Sequence, residues 1–259
     1  MSRDQAAVIE QSFSRQASAF EDRRFNSVFT ENVDWLFGRL ELDADQLVLD
    51  VAAGTGHAAR SLAPRVRGVI ALDATQAMLE RGTRAAHEAG LRNIVFQRGD
   101  AAVLPFVDAS FDIVVCRFAV HHFDDPRIQI AELARCVRPG GAVVIADLAA
   151  DEDPAVAVTQ NRLERLRDPS HTRILAAREL AGLIRGCGMR ERAIDSRAVE
   201  RPLPPWLAQT GADEDAVGVI RAALRTELDG GPPTGFGPRL AGEEILFTQR
   251  FVSVTADRP

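Results

Sequence analysis

The stretch LDVAAGTGHAA, residues 49–59, carries two chemical patterns that imply different ligands. Gly54, Gly56 and Ala59 fit the G-x-G-x-x-G/A spacing by which a glycine turn cradles a dinucleotide's phosphates at a helix N-terminus. Asp50, Ala52, Gly54 and Gly56 instead set an acid before small residues at every second position. Either way, the glycines let a ligand approach the backbone with no Cβ in the way. Asp50 separates the two patterns. A carboxylate beside a dianionic pyrophosphate is repelled by it, whereas an ammonium or sulfonium favours such a neighbour. Asp73, in VIALDATQAML, can accept both hydroxyls of an adenosine ribose, although NAD enzymes place an acid similarly. Asp100 and the backbone of Ala101, in RGDA, can read the amino edge of an adenine, and Met78 offers that ring a soft apolar surface or packs its own helix. A second group of reactive side chains comes later: His121 and His122 in AVHHF, Asp147 in IADL, and His171 and Arg173 in RDPSHTR. Histidine is the side chain best suited to proton transfer near neutral pH. All 31 Lys or Arg residues are arginine and there is no tyrosine, so neither lysine nor tyrosine is available as a base.

These residues need a scaffold. LVLDVAA (47–53), VRGVIALD (66–73), NIVFQRGD (93–100), FDIVVCR (111–117) and GAVVIADLA (141–149) are short, continuously apolar runs, as expected of parallel strands buried on both faces. Helical stretches at 56–63, 75–89 and 127–137 alternate with them, and RPGG (138–141) supplies stop and turn residues before the fifth strand. The alternation predicts a doubly wound α/β sheet. Phe13, Phe20, Phe25, Phe29, Trp35, Phe37 and Leu40 give helical apolar faces within residues 5–40. Residues 154–186 read as helical, 189–203 as a sixth strand and 244–257 as a seventh, with DGGPPTGFGPRL a mobile loop between them. No internal repeat or isolating linker appears. One domain is expected, with residues 1–40 a helical lid, 41–150 the cofactor-binding core, 151–243 a cap carrying the sixth strand, and 244–259 the last strand.

A chain of 259 residues can bury a substantial core, and its 46% hydrophobic content is ordinary for a globular protein. No apolar run approaches the roughly 18 residues that span a bilayer. The polar start, MSRDQAAVIEQSFSRQ, lacks the apolar core of a secretory signal, so a cytoplasmic location is expected. A net charge of −6 argues against a nucleic-acid partner. Cys116, Cys136 and Cys187 lack C-x-x-C spacing and read as small buried hydrophobes.

Taken together, VLDVAAGTGHAA, VIALDATQAML, FQRGDAAVLPFVDASFDIVVCRFAVHHFDDP and ELARCVRPGGAVVIADL resemble the class I S-adenosylmethionine-dependent methyltransferases, within them the ubiquinone/menaquinone-biosynthesis-like group acting on small molecules. These segments cover about residues 45–150, in the family's order and approximate spacing. The resemblance implies a seven-stranded, mostly parallel, Rossmann-like sheet whose last strand is antiparallel. It implies S-adenosylmethionine as cofactor and S-adenosylhomocysteine as product. It further implies that Asp50, Ala52, Gly54, Thr55 and Gly56 hold the methionine moiety and Asp73 the ribose. Ala74, Met78, Asp100 and Ala101 would surround the adenine, and Arg117 would lie beside the amino-acid portion. Ala52 departs from the glycine that many relatives have there.

Neighbouring fourth and fifth strands would bring His121, His122 and Asp147 together. Some natural-product sugar O-methyltransferases in this superfamily have a similar His–Asp arrangement, which points to His121 as base and Asp147 as the group orienting it; packing at the strand end is the plainer role. RDPSHTR resembles a segment of the cap in some members, where His171 and Arg173 would face the acceptor or lie in a solvated loop. The expected reaction is O-methylation of a small organic molecule, with C-methylation next, in secondary-metabolite or quinone-like biosynthesis. Cyclisation or sensing with the same cofactor, and NAD-dependent oxidoreduction, are the alternatives. No cluster has evident metal-ligand spacing, so activity without divalent cations is expected, in a monomer or homodimer.

Overall fold

The computed structural model describes residues 3–16 and 34–259. Phe20, Phe25 and Phe29 lie outside the described residues. Helices α1 (Arg3–Gln16) and α2 (Asp34–Phe37) precede an alternating core of β1 (Leu47–Val51), α3 (His57–Leu62), β2 (Gly68–Asp73), α4 (Gln76–Glu88), β3 (Ile94–Arg98), β4 (Phe111–Arg117), α5 (Pro126–Cys136) and β5 (Val137–Leu148). The chain continues through α6 (Pro154–Arg167), α7 (Ala177–Gly186), β6 (Arg190–Pro202), α8 (Leu203–Ala208), α9 (Glu214–Leu228), β7 (Arg239–Ala241) and β8 (Glu244–Asp257).

Sheet order is β3-β2-β1-β4-β5-β8-β6. Strands β1 to β5 pair in parallel, and β8 lies antiparallel between β5 and β6. The short runs form strands because both faces are covered. Leu49, Val51, Val114, Cys116, Val143 and Ile145 enter one core cluster, while Val48, Val69, Ala71, Ile113, Val115 and Val144 enter the other. No described helix is long and apolar enough to cross a membrane.

Four expectations are corrected. The strand beginning at Gly141 in fact begins at Val137, with RPGG a bulge inside it: Phe111 pairs with Val137, but Ile113 already pairs with Ala142. Gly140 takes φ 78° there, and a Cβ on Gly141 would stand 2.5 Å from the Asp112 carbonyl, so the bulge requires this glycine pair. An eighth strand, β7, joins the expected seven, because the two-residue Gly242–Glu243 loop, with Gly242 at φ 64°, folds it back onto β8. Residues 154–186 form two helices rather than one. Asp168 precedes a proline and is extended (φ −136°, ψ 101°), ending α6, and the segment after it is tied down by Asn161, which bonds both the N–H (2.7 Å) and the carbonyl (3.1 Å) of Ile174. The expected mobile loop is packed: Phe236 lies 5.4 Å from the Trp206 ring and 5.6 Å from that of Phe247, in a cluster with Leu163, Ile220 and Leu224. Its glycines signalled turns, and the one aromatic among them supplied the anchor.

Candidate active site

Strand order reverses between β1 and β4, and in open α/β sheets the crevice beyond the carboxyl ends of such strands is where ligands bind. A cavity opens there. Ala52, just past β1, and Phe118, just past β4, both sit at φ 53°, a left-handed conformation rare for residues with a Cβ. Both line the cavity, so the rim is held in an unusual shape on either side of the switch point.

Ala52, Gly54, Asp73, Ala74, Met78, Asp100, Ala101 and Arg117 line the side nearest β1 and β2. The three N–H groups of the glycine fingerprint are already engaged. Gly54 N–H donates to Asp73 Oδ2 (2.7 Å), Gly56 N–H to the Ala53 carbonyl (2.8 Å), and Ala59 N–H to Asp50 Oδ2 (3.0 Å). A pyrophosphate would need such donors, so this turn is built against a dinucleotide. Asp73 accepts Thr75 N–H through its other oxygen (2.8 Å), and the carboxylate keeps acceptor capacity for a ribose hydroxyl. With Met78 as an apolar wall and Asp100 beside it, these residues fit an uncharged adenosine. Asp50, Thr55 and Gly56 frame the turn without lining the cavity. Asp50 is buried beneath it, and burial raises its carboxyl to about 7, against the opposing pull of Arg117 and the Ala59 N–H.

His121, His122 and His171 line the cavity beyond Phe118. Asp147, at the end of β5, fixes the first of them twice: its carboxylate accepts His121 N–H (2.9 Å) and contacts Nδ1 of the same residue at 2.5 Å. With Nδ1–H donating to Asp147, Nε2 is the nitrogen left to take a proton. His122 Nδ1 lies 3.0 Å from the Ser170 carbonyl and so carries its hydrogen there. The segment bearing His171 is latched to the same turn by Thr172, whose N–H donates to the His121 carbonyl (2.8 Å) and whose hydroxyl donates to that of Phe123 (2.7 Å). Burial pushes the His122 and His171 pKa values down, which keeps both rings neutral. Ring centroids lie 4.1 Å apart for His121 and His122, 4.5 Å for His121 and His171, and 5.0 Å for His122 and His171.

The fold nonetheless brings together a trio of histidines that spacing along the chain does not announce. One ring nitrogen from each histidine lies within 4.8 Å of the others, a grouping that could hold an ion. Spacing along the chain hid it because His171 arrives from a different element. Arg173, by contrast, is exposed and ion-paired with Glu179 (2.9 Å), outside the cavity wall.

The sequence reading missed the wall toward β6 and β8: Arg167, Asp168, Arg201, Trp206, Gln209, Thr210 and Gln249. Arg167 and Asp168 lay within the quoted RDPSHTR, and a run of charge at a helix end also suits a solvated surface. Helix α1 closes a further side through Ile9 and Phe13, the latter edge-on to His122 at 5.1 Å. Gln5 Nε2 donates to the carbonyls of His122 (3.1 Å) and Ser170 (2.9 Å), pinning the same helix to both reactive segments.

The fold is Rossmann-like, with its cavity at the topological switch point, and comparison with known proteins gives its family: the chain belongs to the class I S-adenosylmethionine-dependent methyltransferases. Residues 49–145 match the methyltransferase domain family. The chain is 36% identical over 208 residues to the uncharacterized methyltransferase YcgJ of Bacillus subtilis (strain 168), covering 80% of this chain and 81% of that protein. The crystal structure of YcgJ superposes with a TM-score of 0.79 at 32% identity, covering 87% of this chain and 97% of that one. A putative methyltransferase (BH2331) from Bacillus halodurans C-125 superposes with a TM-score of 0.82 at 26% identity, covering 88% of this chain and 99% of its own. The demethylmenaquinone methyltransferase of Renibacterium salmoninarum is 40% identical over 116 residues, 43% of this chain and 47% of that protein.

Proposed function

We propose that this methyltransferase acts on a hydroxyl group of a small organic molecule, with His121 as general base and Asp147 as its positioning partner. The observation that carries the reading is the buried His121–Asp147 pair, whose histidine lies on the wall of the cavity also lined by Gly54 and Asp73. S-adenosylmethionine, when bound, supplies a methyl group already activated at sulfur. Asp73 holds the ribose, while Ala74, Met78, Asp100 and Ala101 surround the adenine. Asp50, Ala52, Gly54, Thr55, Gly56 and Arg117 shape the methionine end. The chain's remaining work is to align the acceptor and receive its proton on His121 Nε2. His122 and His171, both neutral, wall this position without bringing charge to it.

A largely apolar cavity at the strand ends and a net charge of −6 both suit a small molecule better than a nucleic acid. Likeness to a demethylmenaquinone methyltransferase over 116 residues supports a quinone-like aromatic acceptor as one candidate.

With the acceptor in hand, His121→Ala should lower kcat by roughly 10²–10⁴, the range for losing a positioned base. Asp147→Asn should cost no more, and the two losses should be non-additive because the residues act as a unit. Single-turnover methyl transfer is the measurement. Near-wild-type turnover in His121→Ala would reject the base and leave positioning alone, as expected for a carbon acceptor activated by its own phenolate. Turnover without release of S-adenosylhomocysteine would reject methyl transfer itself.

A further inference from the structure

The cavity wall toward β6 and β8 holds a cation, Arg201, with no carboxylate within ion-pair distance among the described residues. Arg201, at the end of β6, is buried, and its guanidinium bonds to neutral amides: Nη1–H donates to Gln249 Oε1 (2.6 Å) and Nη2–H reaches Gln209 Oε1 at 3.5 Å. The two nearby carboxylates are committed elsewhere. Glu164 pairs with Arg167 at 3.2 Å, and Asp168 accepts the Ser170 hydroxyl (2.6 Å) and N–H (3.0 Å). Neither comes within ion-pair distance of Arg201. Burial lowers the Arg201 pKa to about 10, which still leaves it cationic at neutral pH. A buried guanidinium is ordinarily paired, because desolvating an unpaired charge is costly. A second observation points the same way. The Trp206 indole N–H, on the same wall, is buried without an acceptor among the described residues, with the Arg167 guanidinium 4.6 Å above its ring.

We infer that the methyl acceptor carries an oxyanion, a carboxylate or a phosphate, seated against the Arg201 guanidinium beside Trp206. The inference rests on the acceptor entering this cavity, as proposed above. A guanidinium fork matches such a group bidentately, and the indole edge offers one more donor. Gln249 and Gln209 steady the fork by accepting N–H bonds without neutralising it. A cation buried in this way favours acids over neutral analogues of the same shape.

Three probes test this at constant ionic strength: benzoate, phenyl phosphate and the neutral benzamide. Each is titrated calorimetrically into the full-length protein, with and without S-adenosylhomocysteine. The expected result is at least about tenfold tighter binding of one or both anions than of benzamide, the scale of a charge-assisted hydrogen bond. Whether benzoate or phenyl phosphate leads assigns the oxyanion. The preference should vanish in Arg201→Met and shrink in Arg201→Lys, which keeps the charge without the fork and guards against a folding defect in the first variant. Equal affinity for benzamide, no binding of either anion, or a preference that survives in Arg201→Met would each overturn the inference. S-adenosylhomocysteine affinity, read in the same titrations, tests the methyltransferase site separately and should be unchanged in both variants.

Discussion

Asp50 accepts the Ala59 N–H from beneath the glycine turn, and burial raises its carboxyl from 3.8 to about 7. A carboxyl whose pKa is higher folded than unfolded binds protons more readily in the folded state. Its contribution to stability therefore declines as pH rises from about 4 towards 7, and the whole cost of the buried charge is present above that. Asparagine keeps an oxygen for the Ala59 N–H and removes the titration. In the cofactor-free protein, the melting temperature of Asp50→Asn relative to wild type should rise between pH 5 and pH 8. A difference that stays flat across that range would mean Asp50 is ionised at little cost. The retained acid makes sense beside a cationic ligand, the same consideration that separates the two sequence patterns of the turn.

At the scale of elements, the reactive end is assembled from three parts of the chain. The turn after β4 brings His121 and His122, β5 brings Asp147, and the segment between α6 and α7 brings His171. Each joint is hydrogen-bonded: Asp147 to His121, Ser170 to His122, and Thr172 back to His121. With Nδ1 of His121 and His122 occupied, only their Nε2 atoms remain to meet a metal. Ring nitrogens up to 4.8 Å apart must draw together to share a zinc ion, whose bonds to nitrogen are about 2.0–2.1 Å. Proton transfer needs no such movement. Turnover should therefore persist after exhaustive dialysis against EDTA; loss of activity restored by a divalent ion would make these histidines ligands instead.

At the scale of the whole molecule, the cavity wall near β1 and β2 was legible from sequence and the wall near β6 and β8 was not. Strands β1, β2, β4 and β5 declared themselves through continuous apolar runs, since both their faces are covered, and the edge strand β3 did so through a shorter run although it is half-exposed. Asp73 and Gly54 were recognisable because the turn and the strand end that hold them are local. Arg201 and Gln249 come together only through the antiparallel pairing of β6 with β8, and β6 is largely exposed, so no apolar run marks it. Trp206 likewise reads as a core residue from its neighbours Leu203 and Leu207, and it is one, at the inner wall of the cavity. The cavity wall that sequence pattern reveals is built locally, and the wall it hides is built by long-range packing.

The placement of Trp206 also makes the protein its own optical probe. The chain has two tryptophans and no tyrosine, so ultraviolet emission comes from two indoles. One is Trp35, beneath the Arg197 guanidinium at 4.8 Å, which is absent from the cavity wall. In Trp35→Phe, all indole fluorescence would originate from Trp206, whose ring lies between Arg167 and the aromatic pair of Phe236 and Phe247. A negative charge arriving at Arg201 would alter the electric field across that ring and shift its emission. Candidate acceptors can then be ranked by colour, one titration at a time, before any methylated product has been identified.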